Sequence, residues 1–157
     1  MIAVLQRVSR AAVRVEGEVV GSIDQGLMIL LGVSAEDTVG DAACLAKKIA
    51  ACRIFCDEND KMNLSLTAVA GGALVISNFT LLADYAHGNR PSYFGAAAPD
   101  VASALYDEFC RLLSDALSRE VARGRFGAHM DIDMEADGPI TIVMDSKVLR
   151  TKGGIRA

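Results

Sequence analysis

Val13-Arg14-Val15-Glu16-Gly17-Glu18 decides the fold: apolar and charged side chains alternate over four residues, and the alternation stops at a glycine. A period of two is the signature of a half-buried strand, and Glu16-Gly17-Glu18 is the turn that ends it. Working outward, residues 2–33 read as strands, and Gly26 releases a second, fully apolar one, Leu27-Met28-Ile29-Leu30-Leu31-Gly32-Val33. A β-meander opens the chain. That apolar run is far below the roughly 20 residues that cross a bilayer. Met1-Ile2-Ala3-Val4 runs into Arg7 without the layout of a signal peptide. No membrane association and a cytoplasmic location are expected.

From Asp37 to about Ile54, Ala42, Leu45, Ala46, Ile49 and Ala50 recur at helical spacing, with Asp37 or Thr38 as cap. Asp57-Glu58-Asn59-Asp60-Lys61 is a polar turn, and Ala73-Leu74-Val75-Ile76 is a buried strand entered through Gly71-Gly72. Pro99-Asp100 starts a second helix, with Val101, Leu105, Phe109, Leu112, Leu113, Ala116 and Leu117 as its apolar stripe. Met130 to Glu135 alternates and is expected to pair as a hairpin with Ile140 to Met144 across Ala136-Asp137-Gly138-Pro139. With 157 residues and 52% hydrophobic content, there is material for one core but not for two. The expected fold class is α/β (α+β): a single compact domain, a largely antiparallel or barrel-like sheet layer packed with two main helices. The domain is placed at 1–145, followed by a basic, flexible tail over 146–157.

Net charge is −4, and Lys147, Arg150, Lys152 and Arg156 lie in the acid-free tail, so the body is more acidic still. Such a balance argues against nonspecific polyanion binding and confines any RNA contact to local basic strips, Arg7/Arg10/Arg14 or Arg119/Arg123/Arg125. From spacing alone, ordinary solvated charge is the favoured reading of those strips. Cys44, Cys52, Cys56 and Cys110 sit among apolar neighbours in apparent helices, as free thiols of a reducing compartment do. Cys52 and Cys56, spaced i, i+4, could join His87 or His129 around a metal, but core packing is favoured and no metal is expected.

Two islands carry chemistry. Ser77-Asn78-Phe79-Thr80-Leu81 closes an apolar strand. Backbone N–H groups at such an end, here those of Phe79 and Thr80, can stabilise the oxyanion formed when an ester carbonyl is attacked. Thr80 could instead be a nucleophile, but no base stands at a recognisable spacing. The bland alternative is hydroxyls that satisfy nearby backbone groups. Asp137-Gly138-Pro139-Ile140-Thr141 places a proline at the mouth of another strand. A cis Gly138-Pro139 bond would present its carbonyls together, a receptor for an ammonium group, although an ordinary trans turn is commoner.

Together with Gln6-Arg7-Val8, Lys61-Met62-Asn63-Leu64, Gly88-Asn89-Arg90-Pro91-Ser92 and Gly124-Arg125-Phe126-Gly127-Ala128, these islands resemble the D-aminoacyl-tRNA deacylase family up to about Met144. The resemblance implies an enzyme that hydrolyses the ester of D-aminoacyl-tRNA to free D-amino acid and tRNA, with no metal or organic cofactor. It implies Ser77, Phe79 and Thr80 as the active-site strand, Phe126 and Met130 as pocket lining, and Gly138 and Pro139 as a Gly-cisPro filter that excludes L substrates. Arg7 would fix the orientation of that filter. It further implies a homodimer in which the filter of one subunit completes the site of the other, the help of the terminal adenosine's 2′-OH, and clearance of glycine mischarged on tRNA(Ala). Asn78 departs from the glutamine common at its place, which leaves the backbone donors as the reading. The rivals are a Thr80-nucleophile esterase for small esters and a non-enzymatic RNA-binding module.

Overall fold

A computed structural model describes residues 1–152. Its spine is β1 (Ile2–Val15), whose inward face alternates strictly over its first half. The turn at Glu16-Gly17 places both residues at positive φ, 53° and 83°, the two-residue turn whose twist suits a hairpin. It leads into β2 (Glu18–Ile23), antiparallel to the second half of β1. β3 (Gly26–Gly32) pairs antiparallel with the first half, and every residue of it except Leu30 is buried. The strands are where the alternation predicts, but they do not form the expected meander: β3 pairs with β1 and not with β2, because β1 is long enough to carry β2 along its second half and β3 along its first.

α1 (Val39–Ala50) then carries the chain across, a small hairpin of β4 (Arg53–Cys56) and β5 (Met62–Ser65) follows, and β6 (Gly72–Ser77) returns parallel to β3. A crossover of this length is what a parallel pair requires. The strands start in close contact: a Cβ on Gly26 would lie 1.9 Å from the Gly72 carbonyl oxygen. After α2 (Pro99–Leu117), the short β7 (Ala122–Arg123) adds parallel to β6. β7 and β2 approach each other at the far side, so the sheet is nearly closed, barrel-like and mixed in direction. One core lies between the sheet and α1/α2, around Leu5, Ile29, Leu45, Ile49, Phe55 and Phe109. A second, around Val8, Val13, Met28, Leu74 and Ile76, fills the barrel side. The fold is a mixed α/β single domain.

Further expectations are corrected. Residues 130–144 do not form a hairpin: β8 (Asp131–Asp145) is one long strand antiparallel to β1 from Arg14↔Asp131 to Ile2↔Asp145. β1 is long enough to pair with both segments end to end, so the chain has no need to reverse. α1 stops at Ala50 and not near Ile54, because Ile54 and Phe55 enter the core from β4. Cys52 and Cys56 therefore share no helix; Cys56 is exposed on β4. The stripe of α2 is rotated onto Leu105, Tyr106, Phe109, Cys110, Leu113 and Leu117, leaving Val101 exposed. The basic tail begins as a helix, α3 (Ser146–Lys152), with Leu149 against the main core. Its anchor is polar: Asp41 Oδ1 accepts from Ser146 Oγ at 2.8 Å and from the Arg150 guanidinium at 2.9 Å. The Met1 ammonium donates to the same serine at 2.8 Å. Gly153, Gly154 and Arg156 lie outside the described residues. Among those described, no helix is long and apolar enough to cross a membrane.

Candidate active site

β6 delivers the first island. Ser77 is in register with Leu31, and the Asn78 N–H donates to the Leu31 carbonyl at 2.8 Å. Beyond that bond the ladder ends, and Phe79–Leu82 forms one turn of 3₁₀ helix. Asn78 caps it: its Oδ1 accepts from the Thr80 N–H at 3.1 Å and from the Thr80 hydroxyl. This changes the expectation for the two amides. The Thr80 N–H is engaged by Asn78, whereas the Phe79 N–H has no acceptor among the described residues. A short amide side chain is what makes the cap possible, since Asx residues bond the backbone two positions on.

In front of this turn lies a cavity of about 730 Å³ bounded by Ser77, Asn78, Phe79 and Thr80, by Phe126 to Met130, and by Tyr93, Tyr106 and Pro99. The site residues expected on the active-site strand and those expected as lining are thus brought together. Tyr106 was missed as lining, although its spacing to Phe109 and Leu113 on α2 is the signal for an inward position. Its hydroxyl donates to the Val75 carbonyl at 2.8 Å, and its ring meets Phe126 at 6.0 Å. Burial, followed by the neighbouring Cys110 thiol, pushes the phenol far above its usual 10. Cys110 is itself raised by burial to about 11. This wall is apolar and uncharged. Met130 fits because residue 124 is glycine: a Cβ there would come within 2.6 Å of the Met130 sulfur. Phe79 and Tyr93 meet edge to face at 5.0 Å on the opposite rim.

The second island lies elsewhere. β8 pairs Thr141 with Gln6 and Ala136 with Val8, so Asp137-Gly138-Pro139-Ile140 bulges opposite Arg7 alone. The Gly138-Pro139 peptide is cis, and Gly138 has φ 132°, a conformation open to glycine. Arg7 is buried beneath the bulge. Its Nε bonds the Asp137 carbonyl at 3.2 Å and pairs with the Asp137 carboxylate at 2.9 Å, while Nη1 donates to the Ile54 carbonyl at 2.7 Å. Thr141 Oγ1 donates to Gln6 Oε1 at the strand's next pair. Gly138 and Pro139 are exposed and do not line the cavity of their own chain.

A family profile described as D-Tyr-tRNA(Tyr) deacylase matches residues 4–145. A protein of Desulfatibacillum aliphaticivorans named D-aminoacyl-tRNA deacylase is 50% identical over 94% of this chain and 100% of its own length. One of the same name from Chloroflexus aurantiacus is 53% identical over 96% of this chain and 93% of its own length. Among solved structures, one titled c-Myc DNA Unwinding Element Binding Protein superposes with a TM-score of 0.86 at 35% identity, covering 92% of this chain and 98% of that one. A probable eukaryotic D-amino acid tRNA deacylase superposes with a TM-score of 0.80 at 18% identity over 91% and 97%, a likeness of fold. On these matches the chain belongs to the D-Tyr-tRNA(Tyr) deacylase family of hydrolases.

Proposed function

We propose that two copies of the chain together build a site that hydrolyses the ester joining a D-amino acid to the 3′ end of tRNA. The scissile carbonyl sits at the Phe79 N–H. Water adds to the carbonyl carbon, the oxyanion accepts from that N–H, and the C–O bond to the ribose breaks as its oxygen takes a proton. The terminal 2′-OH assists the transfer. One preorganised donor is worth about 3 kcal/mol, or roughly a hundredfold in rate. The apolar wall of Tyr106, Phe126 and Met130 strengthens it by excluding water.

The Gly138-Pro139 carbonyls of the second copy hold the substrate ammonium, and the surrounding backbone leaves no room for an L side chain. Selectivity by rejection cannot refuse an achiral amino acid, so glycine mischarged on tRNA(Ala) is also cleared. The observation that supports a site shared between copies is the position of the filter. Gly138 and Pro139 stand exposed on an edge strand, pinned by Arg7, and away from the cavity of their own chain. A Thr80 nucleophile is disfavoured because its hydroxyl donates to the Asn78 amide oxygen, which is no base. Charged tRNA as substrate places the work in the cytoplasm.

The test is a comparison of D-Tyr-tRNA and L-Tyr-tRNA. Hydrolysis of the D ester with the L ester spared by a wide margin is expected; comparable rates would reject the filter. A covalent acyl group trapped on Thr80 would reject attack by water.

A further inference from the structure

The rims of the cavity differ in character from the rest of this acidic chain. Residues 85–99 contain no Asp or Glu, and neither do residues 121–130. Both stretches reach the cavity, the first through Tyr93, Ala96 and Pro99, the second through Phe126 and Met130. The first also carries rings into open solvent: Phe94 is 98% exposed and Tyr85 79%. It is a held loop, since Asp84 and Ser92 exchange reciprocal backbone hydrogen bonds of 2.8 Å. The edge-to-face contact between Phe79 and Tyr93 joins this loop to the cavity wall. Arg90 and Arg125 are exposed, and among the described residues neither has a carboxylate within salt-bridge distance.

We propose that this loop is a stacking platform for the unpaired nucleotides at the 3′ end of tRNA. Tyr85 and Phe94 take base faces, Arg90 of the same loop takes a phosphate, and Arg125 on the facing rim takes another. Exposed rings with an unpaired arginine, on a loop whose basal carboxylate, Asp84, is engaged by the Ala86 N–H, are what a single strand requires, because every base offers a π-face and every linkage a negative charge. The inference rests on the reading that the ester lies in the cavity. The nucleotides preceding the esterified one must then leave through its mouth and cross a rim. A protein partner would use the rings but leave the arginines without a partner unless it brought carboxylates, so a nucleic acid strand matches both features together.

The experiment measures binding, not hydrolysis, by fluorescence anisotropy with uncharged tRNA. One tRNA is intact and the other lacks its last three nucleotides. The unaltered protein is expected to prefer the intact tRNA by about tenfold, within the fivefold to hundredfold that stacking a base typically supplies. The Tyr85→Ala/Phe94→Ala double variant is expected to lose that preference while binding the truncated tRNA as before. Arg90→Gln is expected to lower the slope of log affinity against log salt by about one. No preference in the unaltered protein, or a preference that survives in the double variant, overturns the proposal. So does an equal loss for both tRNAs accompanied by a changed sedimentation coefficient, which would make the loop a contact between copies. Because no turnover is needed, a failed D/L comparison would reject the proposed reaction and leave this result readable.

Discussion

Replacing Phe79 by proline removes one N–H and asks what it is worth. The local backbone accepts the change. Phe79 is the first residue of the 3₁₀ turn, where φ is about −50 to −70° and proline's ring holds about −65°. The residue before it, Asn78, is already extended at φ −147°, ψ 93°, the region into which a following proline drives its neighbour. No hydrogen bond among the described residues is broken, because the Phe79 N–H makes none. The phenyl ring is lost as well, with an edge contact to Tyr93 worth about 1 kcal/mol. Phe79→Ala loses the same ring and keeps the N–H, so the ratio of the two variants isolates the donor. A single oxyanion donor is worth about 3 kcal/mol. Phe79→Pro is therefore expected to deacylate D-Tyr-tRNA about a hundredfold more slowly than Phe79→Ala in single-turnover rates, with similar melting temperatures. Rates within about threefold of each other, in two folded variants, would remove the Phe79 amide from the mechanism.

Two further outcomes follow from buried polar groups. Arg7→Met keeps much of the side-chain volume but strands the Ile54 carbonyl and frees the Asp137 bulge. It is expected to cost about 2 kcal/mol in denaturant unfolding and to slow deacylation in the fraction that remains folded. Unchanged turnover would deny Arg7 any part in holding Gly138-Pro139. Burial alone would raise the Asp41 carboxyl, but hydrogen bonds from Ser146 and Thr38 and the charge of Arg150 hold it below its usual 3.8. A carboxyl depressed in the folded state stabilises above its unfolded pKa, and that stability is lost as pH falls through the folded value. Asp41→Asn is thus expected to lower the melting temperature near neutral pH, with the gap to the parent starting to narrow only below about pH 4 and closing as pH falls through the depressed folded value. A gap that stays constant into acid would contradict the linkage.

The elements that sequence reading located well are those whose signal is local. Alternation at Val13 to Glu16, a glycine at 17 and an apolar run from Leu27 define β1 to β3, because burial of one face or both leaves its period in the residues themselves. Ser77 to Thr80 and Gly138-Pro139 stood out in the same way, as residue types at strand ends. Pairing was not. The alternation of residues 130–135 identifies a strand but not its partner, and only the length of β1 decides that 131–136 and 140–145 lie along it end to end. A turn became a bulge for that reason, and Arg7, which reads as a strand residue, became its buried support.

By itself the sequence determined where β1 to β3, β6 and the bodies of α1 and α2 lie, and which short stretches stand at strand ends. Tertiary structure alone decided that β6, α2 and residues 126–130 enclose one cavity, that Asn78 occupies the Thr80 amide and leaves that of Phe79 free, and that Gly138-Pro139 stands outside. The physical reason is range. Periodicity records a residue's exposure to core or water, a property of its own position. Registry, closure and the choice of hydrogen-bond partner are set by elements distant in the chain, and no local pattern encodes them.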